Sequence, residues 1–341
     1  MRKEVILITG ANGEIGHGLI SHFSAQGNIP IVALDVQPLD DAIKPCCTRF
    51  IQGDILDTNL LGRLVGEFEI RTIYHLASIL STKAEYNPET AHRVNVEGTL
   101  NLLRMAVEQS QWQGRQVKFI YPSSIAAYGL PSLPMKHTVG KIKETDWCFP
   151  TTMYGCNKLY CEHLGRYYSR HYRQLAAESS GVDHIDFRSV RFPGLVSGTT
   201  IPTGGTSDYG PEMIHHAAQN LPYACFVRPD TTIPFMVMPD AIKSLLMLES
   251  APREQLTQTV YNVTSFTPSA RQFYEKVMHY FPNASIEFKP DLHRQSILDT
   301  WPEDIDDTAA RRDWSWKPDY DFETSFENYL IPSIKSYYHI Q

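Results

Sequence analysis

The sequence predicts an α/β fold: a doubly wound parallel sheet followed by a smaller second region. Three observations carry that expectation. Short apolar runs alternate with stretches of helical period from the first residues to about Arg191, most of those runs are apolar throughout, and a glycine-rich turn follows the first of them. Unbroken apolar runs suit strands whose two faces are both covered by helices, whereas a half-exposed strand would alternate.

Six strands are expected, over 5–8, 31–34, 50–51, 72–76, 117–121 and 187–191. Between them lie crossover helices. The first carries Ile15, Leu19 and Phe23 at four-residue spacing, and another, after Asn87-Pro88, carries Ala91, Val94, Leu102, Ala106 and Val107 on its apolar side. Right-handed crossovers wind such units into one sheet. After Arg191 the composition turns to Gly, Pro and Thr, from Pro193 through Gly205 to Pro211. The second region is expected to hold a helix over 211–220, a strand-like passage over 233–237, a helix over 241–248, and a tail with Trp301, Trp314 and Trp316. The expected domains are residues 1–192 with 232–262, and 193–231 with 263–341. No internal repeat or low-complexity run interrupts them.

A chain of 341 residues with 42% hydrophobic and 20% charged residues has the balance of an ordinary globular protein, long enough to bury a core without disulfide or metal staples. Its 31 Lys and Arg against 38 Asp and Glu leave a formal charge of −7, which gives no footprint for nucleic acid or an anionic membrane and favours a small-molecule partner. No apolar stretch is long enough to span a bilayer, and the first strand starts too near Met1 to leave room for a cleaved signal. The six cysteines show no metal spacing, and the adjacent Cys46 and Cys47 are poorly placed to pair. Reduced thiols in the cytoplasm are the expectation. Two sequons, at Asn262 and Asn283, lack the secretory context that would give them meaning.

Gly10-Ala11-Asn12-Gly13-Glu14-Ile15-Gly16 directly follows the first strand and opens the first helix, which is the setting a phosphate-binding glycine loop requires. Gly10 permits the tight turn, Gly13 lets the backbone approach a pyrophosphate, and Gly16 lets helix and sheet pack closely, while the helix N-terminus attracts phosphate charge. Asp35 ends the second strand and is placed to accept from the adenosine ribose hydroxyls. An acid there repels a 2′-phosphate, and the neighbouring Val36-Gln37 offers no arginine to bind one, so NAD is expected over NADP. Asp54 and Ile55, after the third strand, are placed to reach the adenine, although an aspartate at a strand end also serves as a plain turn residue.

Tyr154 and Lys158 stand four residues apart, hence on one face of a helix. A phenol with an ordinary pKa near 10 needs a nearby cation to act as a base at neutral pH, which is what the lysine supplies. In an arbitrary protein that spacing would mean a packed tyrosine and a solvated lysine; behind a dinucleotide fold it points to proton transfer. Ser124 follows the fifth strand, at the carboxyl edge of the sheet where such folds bind ligands, and its hydroxyl can hydrogen-bond a reacting oxygen.

These features together resemble the extended short-chain dehydrogenase/reductase family, also described as NAD-dependent epimerase/dehydratase-like, over nearly the whole chain. The family resemblance includes Asn95 within Val94-Asn95-Val96-Glu97-Gly98-Thr99 and the tail from Asp307 to Trp316. It implies a Rossmann domain with a smaller C-terminal substrate-binding domain, and Leu76, Ala77, Asn95, Tyr154 and Lys158 join Gly10, Asn12, Gly13, Glu14, Ile15, Gly16, Asp35, Asp54 and Ile55 as its expected NAD contacts. Within that family, Arg191 to Ser197 with Gly204-Gly205-Thr206-Ser207-Asp208-Tyr209 looks like the short-chain-type L-threonine 3-dehydrogenases. The stretches Ser78-Ile79-Leu80-Ser81, Thr264 to Pro268, and Arg294 to Pro302 agree.

What this implies is NAD-linked oxidation of L-threonine to L-2-amino-3-oxobutyrate. Tyr154 would be the base, Lys158 would lower its pKa and hold the nicotinamide ribose, and Ser124 would orient the substrate oxygen; family members often have threonine at that last position. Ser81, Thr206 and Asp208 match pocket positions, with Asp208 suited to the substrate ammonium, and Trp301 is expected to close the site. The segment 135–149 is longer than the family pattern calls for. Adjacent His215 and His216 point in different directions on a helix and suggest no metal site.

Two rival readings fit the sequence as well. A nucleotide-sugar epimerase or reductase shares the fold and the tyrosine-lysine pair but needs basic residues for a diphosphate, and 199–209 has none, leaving only Arg228 and Arg294. A non-catalytic dinucleotide sensor would have no need of Ser124, Tyr154 and Lys158 together. The family also implies a homodimer, paired through the helices over 88–109 and 154–171, with Tyr160, Leu164 and Tyr168 as a candidate stripe.

Overall fold

The computed structural model describes residues 2–27, 29–175, 184–202 and 204–340. By internal contacts the chain divides into two units, the first comprising Met1–Ser123, Cys156–Val190 and Leu245–Val260, the second Ser124–Gly155, Arg191–Ser244 and Tyr261–Gln341.

The central sheet has strands β1 (Lys3–Thr9), β2 (Ile31–Asp35), β3 (Arg49–Gln52), β4 (Phe68–His75), β5 (Val117–Ser124), β6 (Ile185–Phe192) and β7 (Val260–Asn262). Their order is β7-β6-β5-β4-β1-β2-β3. The pairings of β1 with β2 and β4, of β2 with β3 and of β4 with β5 are parallel, and the reversal beside β1 is the switch point of a doubly wound sheet. All six expected strands are present, each longer than expected. The seventh, β7, has no counterpart among the expected strands, because three residues that follow a turn-rich stretch carry too little period to stand out.

Val5, Leu7, Val32, Leu34, Ile73, Phe119 and Phe187 form the core of the first unit with the apolar faces of its helices. Helix α1 (Glu14–Gln26) buries Gly16, Leu19 and Ile20, while Ile15 and Phe23 stay half-buried. The helix expected after Asn87-Pro88 is interrupted: a wide turn, Arg93–Glu97, separates Pro88–His92 from α2 (Gly98–Gln113). Such a wide turn often marks a functional position. Helix α3 (Met153–Arg170) carries Tyr154 and Lys158 and passes from the second unit to the first between Gly155 and Cys156.

The second unit has its own core, including Tyr128, Ile142, Tyr209, Phe235, Phe273, Trp301 and Phe326. Helix α4 (Tyr209–Ala218) and the helix Met238–Ser250 lie where expected, and Phe235–Val237 pairs in parallel with Gly194–Val196. The division differs from the expected domains at 124–155, 191–192, 232–244 and 261–262, which go with the second unit. The physical reason for the first is direct: Leu130 N–H donates to the Thr300 carbonyl at 2.8 Å, and Lys141–Ile142 pairs with Asp304–Ile305. Asn262, one of the sequon asparagines, is fully buried there, its amide nitrogen donating to the Ile142 and Asp306 carbonyls.

Candidate active site

Gly10 takes a positive φ of 67°, and a Cβ there would strike the backbone of Leu76 and Ala77 at the end of β4. At Gly16 a Cβ would collide with the Ala11 backbone, so only glycine lets α1 leave the turn so tightly. Gly13, exposed, caps α1 and makes no side-chain capping bond. That arrangement fits a dinucleotide pyrophosphate. The Asp35 carboxylate accepts from Asn12 N–H and Gln37 N–H, each at 2.9 Å, and is held at the edge of this loop. Asn12 Oδ1 accepts from Asp40 N–H at 3.0 Å. Asp54 turns its carboxylate onto its own Leu56 N–H, and Ile55 is buried against Gly98.

Behind the loop runs a network that sequence reasoning missed. His75, fully buried at the end of β4, has Nδ1 2.9 Å from Thr9 Oγ1 and Nε2 2.9 Å from Thr99 Oγ1. Thr99 donates to the Asn95 carbonyl, so its oxygen accepts from Nε2–H, and Nδ1 accepts from Thr9. Burial, with Lys158 adding, brings the imidazole down to about 3, which keeps it the neutral linker this pattern needs. Asn95 itself lies in the wide turn. Its Oδ1 accepts from Ile79 N–H at 2.7 Å, and its Nδ2 donates to the Ile79 carbonyl and to Asn157 Oδ1. Asn95 thus holds the Ser78–Ile79 loop, with Ser81 opening the helix Ser81–Tyr86 just beyond. A lone buried histidine has no sequence signal that separates it from a core residue.

From Phe119 to Leu130 every residue is buried except Ser124, which keeps partial exposure. Its Oγ accepts from Ala126 N–H at 3.1 Å, which sets the oxygen and leaves its proton to donate. Tyr154, half-buried, sits in the first turn of α3. At Gly155 a Cβ would collide with the Ala126 carbonyl, so the backbones of the serine loop and the tyrosine turn touch, within the second unit. Burial pushes the Tyr154 phenol up. Lys158 is 4% exposed, donates to the Pro122 carbonyl at 2.7 Å, and lies 4.6 Å from the centre of the Tyr121 ring. Burial brings its ammonium down to about 8. One turn further, Glu162 is buried and accepts from Ser123 Oγ.

Of the residues expected on the substrate side, Ser124, Tyr154, Thr206, Asp208 and Trp301 lie in the second unit and Ser81 in the first. The Asp208 carboxylate accepts from Gly205 N–H at 2.6 Å, closing the loop that opens α4, and Thr206 is buried within it. Arg294, on helix α5 (Leu292–Asp299), donates to the Gly205 carbonyl at 2.8 Å while its guanidinium lies over the Phe226 ring. That position is one the epimerase reading would have wanted for a diphosphate; here the guanidinium braces the loop. Trp301 follows α5, 3% exposed, and its indole N–H has no partner among the described residues. His215 donates from Nε2 to the Ser197 carbonyl and accepts from Tyr338, while His216 faces the Pro222 carbonyl. Among the described residues no helix is long and apolar enough to cross a membrane.

The profile of the NAD dependent epimerase/dehydratase family matches residues 6–264, which takes in the glycine loop, Ser124, Tyr154 and Lys158. This chain belongs to that family. The family cofactor is NAD, and the glycine loop and Asp35 fit it. Over 322 residues the chain is 32% identical to the mitochondrial L-threonine 3-dehydrogenase of Bos taurus, covering 94% of this chain and 80% of that one. A monomeric L-threonine 3-dehydrogenase from a metagenome, solved in its apo form, superposes with a TM-score of 0.84 at 34% identity, covering 98% of this chain and all of that one. The L-threonine 3-dehydrogenase of Trypanosoma brucei gives a TM-score of 0.84 at 31% identity, with 99% and 98% covered.

Proposed function

We propose that this family member oxidises the side-chain alcohol of L-threonine to L-2-amino-3-oxobutyrate with NAD. The observation that carries the reading is likeness over nearly the full length to L-threonine 3-dehydrogenases, in a chain that has a hydroxyl, a phenol and an ammonium at Ser124, Tyr154 and Lys158. NAD, when bound, supplies the hydride acceptor. Gly10, Gly13, Gly16 and the first turn of α1 would hold its pyrophosphate, and Asp35 its adenosine ribose, with Asn12, Glu14, Ile15, Asp54, Ile55, Leu76 and Ala77 around them.

The Ser124 hydroxyl donates to the substrate alcohol oxygen and holds it toward the Tyr154 phenol. Tyr154, as phenolate, takes the alcohol proton as the carbonyl forms. Its burial opposes ionisation, so a positive field must offset that cost, and the Lys158 ammonium one turn away supplies part of it. Pro122 and the Tyr121 ring keep that ammonium in place. Asp208 would meet the substrate ammonium, Ser81 and Thr206 would shape the pocket, and Trp301 would cover it. The protein is read as cytoplasmic and as a homodimer built on the outer faces of α2 and α3.

The test is NADH formation by purified protein from NAD and L-threonine, run beside L-serine, NADP and a UDP-sugar. Threonine turnover that falls roughly 10²- to 10⁴-fold in Tyr154→Phe, with NAD binding retained, supports the proposal. NAD binding with threonine inert overturns the substrate while leaving the cofactor.

A further inference from the structure

The segment between the serine loop and α3 is a clasp on the residues around Trp301. Lys136, on the short helix Leu133–Thr138, is 2% exposed and donates from Nζ to the Leu298 carbonyl at 2.8 Å. That carbonyl also accepts from the backbone N–H of Trp301 at 3.2 Å. The lysine and the tryptophan are therefore tied to one atom, at the C-terminal end of α5. Around it the clasp continues: Leu130 N–H reaches the Thr300 carbonyl, the hydroxyls of Thr151 and Thr300 meet at 3.0 Å, and Asp306 N–H donates to the Ile142 carbonyl at 2.9 Å. On the other side Arg228 grips Asp299 with two hydrogen bonds, at 2.9 and 2.8 Å.

A methionine would fill the space of Lys136 without the cost of burying an amine. What the amine adds is direction, because a hydrogen bond to the end of α5 sets where the chain turns after it. We infer that Lys136 is a positioning residue for the amino-acid pocket, holding the turn after α5 so that the Trp301 indole keeps its place. The inference rests on the proposed function, in which Trp301 covers bound threonine.

The test compares wild type with Lys136→Met and, should that variant not fold, with Lys136→Gln. In the variant the KM for L-threonine is expected to rise about tenfold, with kcat and the KM for NAD within about twofold. Amide exchange over residues 298–306 should quicken about tenfold, while exchange over 10–16 stays unchanged. In a Trp301→Phe background, Lys136→Met should add nothing further to the KM, since both act through one side chain. Unchanged exchange overturns the clasp; faster exchange with an unchanged threonine KM, or additive effects with Trp301→Phe, overturns the positioning role. A wild-type protein inert toward L-threonine fails the substrate reading instead, and the exchange comparison then decides the clasp alone.

Discussion

The acid at the end of β2 carries a clear consequence for cofactor choice. Asp35 is pinned by two backbone N–H groups, so its charge cannot swing away from an incoming 2′-phosphate. Replacing it with alanine removes that repulsion, and a charge-assisted bond to a ribose is worth about 1.5–3 kcal/mol. Asp35→Ala is expected to raise the KM for NAD roughly 10- to 100-fold and to narrow the preference over NADP, read from initial rates with each cofactor. An unchanged NAD to NADP ratio would show that Asp35 plays no part in the choice. Asp35 was legible in the sequence because a strand end after a glycine loop is a defined place. His75 was not, since its role depends on Thr9 and Thr99, which approach it only through sheet pairing and the helix packed on it.

Two elements owe their placement to single residues. Helix α3 rests on the serine loop at Gly155, and any side chain there must push the tyrosine turn off Ala126. Gly155→Ala should cost about 1–3 kcal/mol in stability, as overpacking does, and lower kcat by at least about tenfold while NAD still binds. Urea unfolding and steady-state kinetics on one preparation separate the two effects. The clasp helix makes a prediction about pH. Burial brings Lys136 down from 10.5 to about 8, so below pH 8 both folded and unfolded chains carry the proton and the full cost of burying the charge is felt. Between about pH 8 and 10.5 only the unfolded chain keeps it, so that cost is relieved and stability rises with pH. Asp299, Glu303, Asp230 and Arg228 are the charged groups acting on this amine. Lys158 is lowered in the same way, which is why the comparison must be a difference. The wild-type stability curve should gain on that of Lys136→Met between pH 8 and 10.5 and run parallel below 8; parallel curves throughout would refute the burial of a charged amine.

For the molecule as a whole the open quantity is its assembly. The stripe expected from spacing, Tyr160, Leu164 and Tyr168, is divided: Tyr168 belongs to the core and stacks on Tyr172, Leu164 is half-buried, and only Tyr160 faces out, 51% exposed. A different row shares that outer face, namely Cys156, Tyr160, His163 and Tyr167. A dimer is expected to use this row, with sedimentation at micromolar concentration reading twice the chain mass and Tyr160→Glu returning it to one. One similar enzyme is described as monomeric, and a monomeric wild type here would place this chain beside it.

The sequence by itself determined the alternating α/β plan, the glycine loop, the acid at the end of β2 and the positions of Ser124, Tyr154 and Lys158. Each of these depends on neighbours within a few residues, and short-range geometry is written in spacing. Tertiary structure decided the rest. Residues 124–155 join the second unit because Leu130, Lys136 and Ile142 find partners more than 160 residues away, at Thr300, Leu298 and Ile305. No pattern in the segment announces those partners, for a buried lysine and an exposed one are the same letter. Only the fold shows that Lys136 meets a helix end, that Arg294 braces a loop, and that Trp301 keeps a buried N–H with no partner among the described residues.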